Sequence, residues 1–308
     1  MSLQTWKVTE PWLEIKCALG EGPYYSKEHN HLRFVDIFDK KLHIVDLAKG
    51  PASLRTIDTG MAVGVTADIK GEHDFILTGA KDGITKFNLE TGEHQYITKL
   101  WAESEGPEKV RRMRSNDGAV DSAGRFWLGT MNDPKEAEIT NEAVLFRLDT
   151  DGTLHRVLEE VSVPNGISWN EKDDTMYWTD TPTNNVFAFD FDAKSGNISN
   201  SRVFYHHPDN ESHGNPDGHS RDVEGNIWHA CYGGSRVVKV SPEGKLVGEI
   251  LLPTRNPTCP VFVGTELFIT SAQEDEPERY PESAKCAGCV FRVDVGVEGM
   301  PKHEARIP

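Results

Sequence analysis

Among the dipeptides that set a hard oxygen donor directly before a glycine, four stand out by their spacing: Glu21-Gly22, Asp117-Gly118, Asn165-Gly166 and Asp217-Gly218. Any one of them is an ordinary turn signal. With Gly64 included, the glycines recur at intervals of 42, 54, 48 and 52 residues, so the donors fall at one phase of a repeat. Carboxylate and amide oxygens gathered in one place, with water completing the shell, suit calcium, magnesium, manganese or iron. The chemistry to expect is a divalent cation site, provided the fold brings the four positions together.

The elements that must do so are short and numerous. Residues 32–37, 75–78, 125–130, 176–180, 226–230 and 266–270 read as one apolar, β-branched and aromatic strand repeated six times. Turn signals such as Asp121-Ser122-Ala123-Gly124 precede them, and second strand-like runs follow at 42–45, 84–87, 144–148, 186–189, 237–240 and 290–293. No amphipathic helical pattern exceeds two or three turns. An earlier strand opens each unit with its glycine, except the sixth, which opens near Thr258-Cys259-Pro260. About four strands per repeat of roughly 40–50 residues is the pattern of propeller blades. The expected architecture is all-β, a six-bladed β-propeller over 1–308 as a single domain; a sandwich followed by a barrel would not repeat glycine, strand, turn and aromatic strand in one order. Residues 6–8 and 303–307 are the candidates for a closing strand. Innermost strands begin such blades, so their first polar residues converge on one end of the central channel.

Composition narrows the function. The 308 residues carry 49 acidic and 33 basic side chains, a net charge of −16, which argues against nucleic acid as a partner. No window is apolar enough for a membrane helix. The first sixteen residues have no secretory pattern and the last four no lipidation or retention signal, so a cytoplasmic, monomeric protein is the expectation. Five cysteines fit reduced thiols better than a disulfide framework.

Other motifs are weaker. Cys286-Ala287-Gly288-Cys289 has zinc spacing but no second pair, and reads as surface or hairpin cysteines. His206, His207, His213, His219 and His229 crowd one region, but their spacings match no zinc motif, which leaves His213 and His219 as candidates for lining the pocket mouth. Asp149-Thr150-Asp151-Gly152 reads as a hairpin turn, and 274–279 as a solvated charged loop. Neither a G-x-S-x-G elbow nor a nucleotide-binding glycine loop is present.

The segments Leu19-Gly20-Glu21-Gly22-Pro23, Phe34-Val35-Asp36-Ile37, Arg114-Ser115-Asn116-Asp117-Gly118, Gly129-Thr130-Met131, Asn165-Gly166 and Pro216-Asp217-Gly218 running to Trp228-His229-Ala230-Cys231-Tyr232 resemble, in order and separation, the gluconolactonase/regucalcin family. The resemblance implies a six-bladed propeller that hydrolyses sugar lactones with one divalent cation (calcium, zinc, manganese, magnesium or iron). Carried onto this chain, it implies Glu21, Asn165 and Asp217 as metal ligands, Asp217 as general base, and Arg114 and Asn116 as substrate contacts. Asp133, in Met131-Asn132-Asp133-Pro134, stands where some members have a further acidic contact. A cation-bound carboxylate is a poor base. Either one Asp217 oxygen binds the cation while the other orients and deprotonates water, or the cation itself lowers the pKa of the water. For Arg114, membership of a surface cluster with Arg111 and Arg112 is the plain alternative. Two other functions stay open: a non-catalytic calcium-binding or scaffolding propeller, and a propeller esterase acting on aryl or organophosphate esters.

Overall fold

A computed structural model describes residues 3–308. Six antiparallel sheets follow one another along the chain, at 20–58, 63–99, 113–161, 164–206, 215–251 and 257–294. Their inner strands are Gly20–Ser26, Val63–Asp68, Met113–Val120, Pro164–Trp169, Asn215–Arg221 and Pro257–Val263; each touches the next and the last touches the first, closing a six-bladed β-propeller. The repeated strands expected from sequence are the second strand of each blade, His31–Asp36, Phe75–Ala80, Phe126–Asn132, Thr175–Asp180, Ile227–Tyr232 and Glu266–Ser271.

The core is divided among the interfaces between blades. Trp127 and Leu145 of blade 3 pack with Trp169 and Trp178 of blade 4, for example, and Trp228 and Val237 of blade 5 pack with Leu267 and Phe291 of blade 6. Every sheet therefore needs both neighbours to bury its faces, and each large side chain so buried contributes about 1.5–3 kcal/mol. Two blades share a further device. Asp121 accepts the Trp127 indole N–H at 3.0 Å and Asp222 accepts that of Trp228 at 2.8 Å, each from the turn preceding the aromatic strand.

Closure differs from the expected arrangement. Gln4–Lys7 adds parallel to the outer strand Leu246–Leu251 of blade 5, as a fifth strand, instead of completing blade 6. Blade 6 has three strands, and Trp12 and Leu13 bond to Val290 at its outer edge. The C-terminal segment leaves blade 5, where Gly299 bridges Asp222, and reaches blades 2 and 3, where Ala305 bridges Ile69 and the Arg306 N–H donates to Gly124. These contacts lie at the far ends of the inner strands, so residues 299–306 cross one end of the channel and leave the other free for a site. No described helix is long and apolar enough to cross a membrane.

Candidate functional site

All six inner strands carry one extra residue at the same place. The register slips between Glu21 and Tyr24, Val63 and Val65, Ser115 and Gly118, Asn165 and Ile167, Pro216 and His219, and Pro257 and Pro260. A bulge of this kind kinks a strand and re-aims its side chains. Here the bulges hold Glu21, Asn116, Asp117, Asn165 and Asp217, all buried.

The recurring glycines have a steric cause. A Cβ on Gly64 would lie 2.0 Å from the Asn116 carbonyl oxygen, and one on Gly166 would lie 2.2 Å from His219 Nδ1. Inner strands approach so closely around the axis that only hydrogen fits at these points. The glycine N–H groups are used as well: Gly22 donates to Glu21 Oε2 at 2.9 Å and Gly118 to Asp117 Oδ1 at 2.7 Å.

A hydrogen-bond belt then joins three blades. Arg114 Nη1 donates to Asn116 Oδ1 at 2.8 Å, and Asn116 Nδ2 donates to Asn165 Oδ1 at 3.1 Å and to the Pro164 carbonyl at 2.9 Å. Asn165 Nδ2 donates to Thr181 Oγ1, whose hydroxyl donates to the Pro216 carbonyl, both at 2.8 Å. The last link ends one residue before Asp217. Both Asn116 amide hydrogens are thereby engaged within the protein, so it bridges Arg114 and Asn165 and keeps only acceptor capacity to spare. Arg114 Nε is buried without a partner.

The charges are unbalanced. Burial first, then the charge of Asp117, pushes the Glu21 carboxyl up to about 8, against the Gly22 N–H and Arg114. Burial raises Asp117 to about 6, against N–H donation from Gly118 and the charge of Lys302, which acts from the C-terminal segment. Asp217 is held well above the usual carboxylate range by burial, then by Glu21 and Asp117. Burial brings Arg114 down to about 10 despite Asp133, Glu21 and Asp217. Arg114 acts on Glu21 and Asp217 and Lys302 on Asp117, and a divalent cation fits this set of buried carboxylates, since its charge would offset theirs and Asn165 Oδ1 keeps a free lone pair.

The structure thus brings Glu21, Arg114, Asn116, Asn165 and Asp217 to one end of the channel, with Asp133 close enough to act on Arg114. Arg114 separates from its sequence neighbours: it is 2% exposed, whereas Arg111 and Arg112 pair with Glu108, Glu136 and Glu142 at the surface. Asp133 pairs with Lys81 at 3.2 Å. Sequence reasoning missed the rim beside it. Lys135 reaches from blade 3 to blade 1, where its Nζ sits 4.3 Å from the Phe38 ring centroid, and Arg114 approaches the same ring. Nothing in loop composition points to these residues, because no periodicity governs them.

Other expectations fare variously. Asp149 to Gly152 form the turn of a hairpin, and all five cysteines are free. Cys289 is buried in the blade 5–6 core, not at the surface. The 274–279 run is only partly solvated: Glu274 binds Arg255 and Ser283, and Asp275 accepts the Tyr232 hydroxyl. His219 lies beneath the bulge of blade 4, its Nε2 2.7 Å from Ser168 Oγ, while His213 is half-buried. Glu21, Asp117 and Asp217 are absent from the His, Cys and carboxylate groups whose ligand atoms already lie within 4.8 Å of one another among the described residues.

Comparison with known proteins gives consistent results. The family described as SMP-30/Gluconolactonase/LRE-like region matches residues 19–273. Regucalcin of Danio rerio is 32% identical over 298 residues, covering 94% of this chain and 95% of its own. Pentonolactonase XacC of Haloferax volcanii is 30% identical over 302 residues, covering 96% and 97%. Among solved structures, a calcium-binding protein, regucalcin, from Agrobacterium tumefaciens superposes with a TM-score of 0.84 at 25% identity over 99% of both chains.

Proposed function

Because this chain belongs to the SMP-30/gluconolactonase/LRE-like family, we propose that it is a metal-dependent hydrolase that opens the ester of a sugar lactone, an aldono-1,4- or 1,5-lactone, to the aldonic acid. Glu21, Asn165 and Asp217 are the ligands assigned to one divalent cation, of the calcium, zinc, manganese, magnesium or iron class. When bound, that cation supplies Lewis-acid polarisation of the lactone carbonyl. Arg114 donates to carbonyl or hydroxyl oxygens of the sugar, held in place by Asn116. Asp133 accepts from a sugar hydroxyl at the rim.

Asp217 takes a proton from water on a carboxylate oxygen. The water oxygen attacks the carbonyl carbon, the ring C–O bond breaks, and the Asp217 proton passes to the departing alkoxide. A nearby cation makes any carboxylate a weaker base, but burial and the charges of Glu21 and Asp117 act in the opposite direction on Asp217. That opposition supports its assignment as a base.

The observation that carries this reading is the buried Arg114 within reach of Glu21, Asp217 and Asp133. A cation that merely fastened blades together would gain nothing from a guanidinium at its side, and an aryl-ester pocket would call for apolar walls. The test is acid release from a panel of aldonolactones by chelator-treated protein, with calcium, zinc, manganese, magnesium and iron restored singly. Turnover that depends on one of these cations and disappears in Arg114→Met is expected. No turnover of any lactone with any cation would overturn the enzyme and leave the scaffolding propeller.

A further inference from the structure

Between blades 4 and 5, where Cys231 pairs with Pro216 beside Asp217, His207, His229 and Cys231 bring ligand atoms within 4.8 Å of one another. His207 follows the outer strand Asn197–His206 of blade 4, while His229 and Cys231 lie two apart on Ile227–Tyr232 of blade 5 and so share a face. All three are 0–1% exposed. Most imidazole nitrogens of this group lack a partner, and the Cys231 thiol meets the His229 carbonyl at 3.8 Å. His229 has neither ring nitrogen partnered, and His207 Nδ1 has no partner either. A buried imidazole always presents at least one donor, and a protein interior rarely leaves it unanswered.

The remaining nitrogen of His207 indicates which ligands this group suits. His207 Nε2 lies 3.1 Å from the His213 carbonyl oxygen, so Nε2 carries the hydrogen and donates, and Nδ1 is left as a bare lone pair. Donation of the second ring N–H to a carbonyl is the usual way a metal-binding histidine is oriented. Two imidazoles and a thiol are the donor set of zinc-class ions, whereas calcium and magnesium prefer oxygen.

We propose that His207, His229 and Cys231 form a second, structural metal site for a zinc-class divalent cation. The Cys231 S–H proton leaves to solvent as the sulfur–metal bond forms. The site is dry, so its ion enters while the blades assemble and takes no part in hydrolysis. Its effect is mechanical: it ties the 207–214 connection to blade 5 directly ahead of the strand Asn215–Arg221 that carries Asp217. Sequence spacing conceals the set, because His207 lies 22 residues before His229 and only the packing of two blades joins them.

The experiment refolds the full chain in Co2+, removes loosely held ion with chelator, and records the near-ultraviolet thiolate-to-Co2+ band. The band is expected at one Co2+ per chain, retained in Glu21→Gln/Asp217→Asn and in Cys286→Ala/Cys289→Ala, and absent from Cys231→Ala. No band in the parent protein, or a band that survives Cys231→Ala, overturns the proposal. Should Cys231→Ala fail to refold, His207→Gln carries the test: Co2+ affinity falls by more than the ~10–100-fold that outer partners of ligands cost. Unchanged affinity in that variant overturns the proposal equally.

Discussion

Asn116 Nδ2 donates to Asn165 Oδ1 at 3.1 Å, so an amide of blade 3 orients the oxygen that blade 4 offers to the channel. Arg114 fixes that amide in turn, through Nη1 to Asn116 Oδ1. One side chain thus couples the guanidinium to the proposed cation site without touching the cation.

Asn116→Ala should therefore weaken the cation site. Asn165 loses the donor that fixes its oxygen, and loss of such an outer partner typically costs ~10–100-fold in metal affinity. Calorimetric titration of Ca2+ or Zn2+ into chelator-treated protein checks this, with a thermal melt to verify the fold. Affinity equal to that of the parent would assign Asn116 to substrate or to structure alone.

Asp217→Asn separates catalysis from stability. The amide preserves shape and can still coordinate through oxygen, but it cannot take a proton, and turnover should fall by ~10²–10⁴-fold. In chelator, the variant should melt no lower than the parent, because one of three mutually repelling buried carboxylates is gone. Lactone opening followed by acid release, alongside the melts, reads both effects. Full activity would remove Asp217 from the mechanism.

The glycine-linked donors were legible because the crowding that forces Gly64, Gly118, Gly166 and Gly218 into the inner strands leaves a periodic trace. Second strands were legible for the same kind of reason: burial on both faces demands runs such as Phe126 to Leu128 and Met176 to Trp178. Blade closure was not, since Trp6 and Leu13 are apolar in either arrangement and only pairing decides which edge each takes. The bulges, the Asn116 bond to Asn165 and the reach of Lys135 to Phe38 depend on register and loop path, which no residue type announces. Family resemblance supplied roles for Arg114 and Asn116; the structure distinguishes them, one a buried donor with an idle Nε, the other saturated as a donor.

Gly64→Ala tests whether the axis is as tight as it looks. The new Cβ would lie 2.0 Å from the Asn116 carbonyl oxygen and 2.9 Å from its Cα, both backbone atoms that cannot swing aside. Overpacking of this sort costs about 1–3 kcal/mol. Because the atoms displaced belong to Asn116, lactone turnover should fall with stability, although residue 64 has no proposed contact with substrate. Chemical denaturation and kinetics on the same preparation decide it; a destabilised protein with full turnover per folded molecule would show that the strain escapes elsewhere.

His31 and His43 should subtract stability early on acidification, a contribution that the raised carboxyls of Glu21, Asp117 and Asp217 oppose over the same range. Burial holds His43 down to about 4, with Asp36 opposing and Lys41 assisting, and burial followed by Arg33 does the same to His31 against Asp68. Unfolding releases both to the ordinary value near 6.5. Between those limits the unfolded chain binds more protons at these two groups than the folded one, so their contribution to stability falls as pH drops from about 6.5 and levels off near 4. Each histidine contributes a slope of at most ~1.4 kcal/mol per pH unit. Urea denaturation at intervals from pH 7.5 to 4.5, on the parent and on His31→Gln/His43→Gln, measures the part they supply. The double variant should show a shallower slope across pH 6.5 to 5, and an unchanged slope there would mean that neither imidazole is kept neutral by the fold.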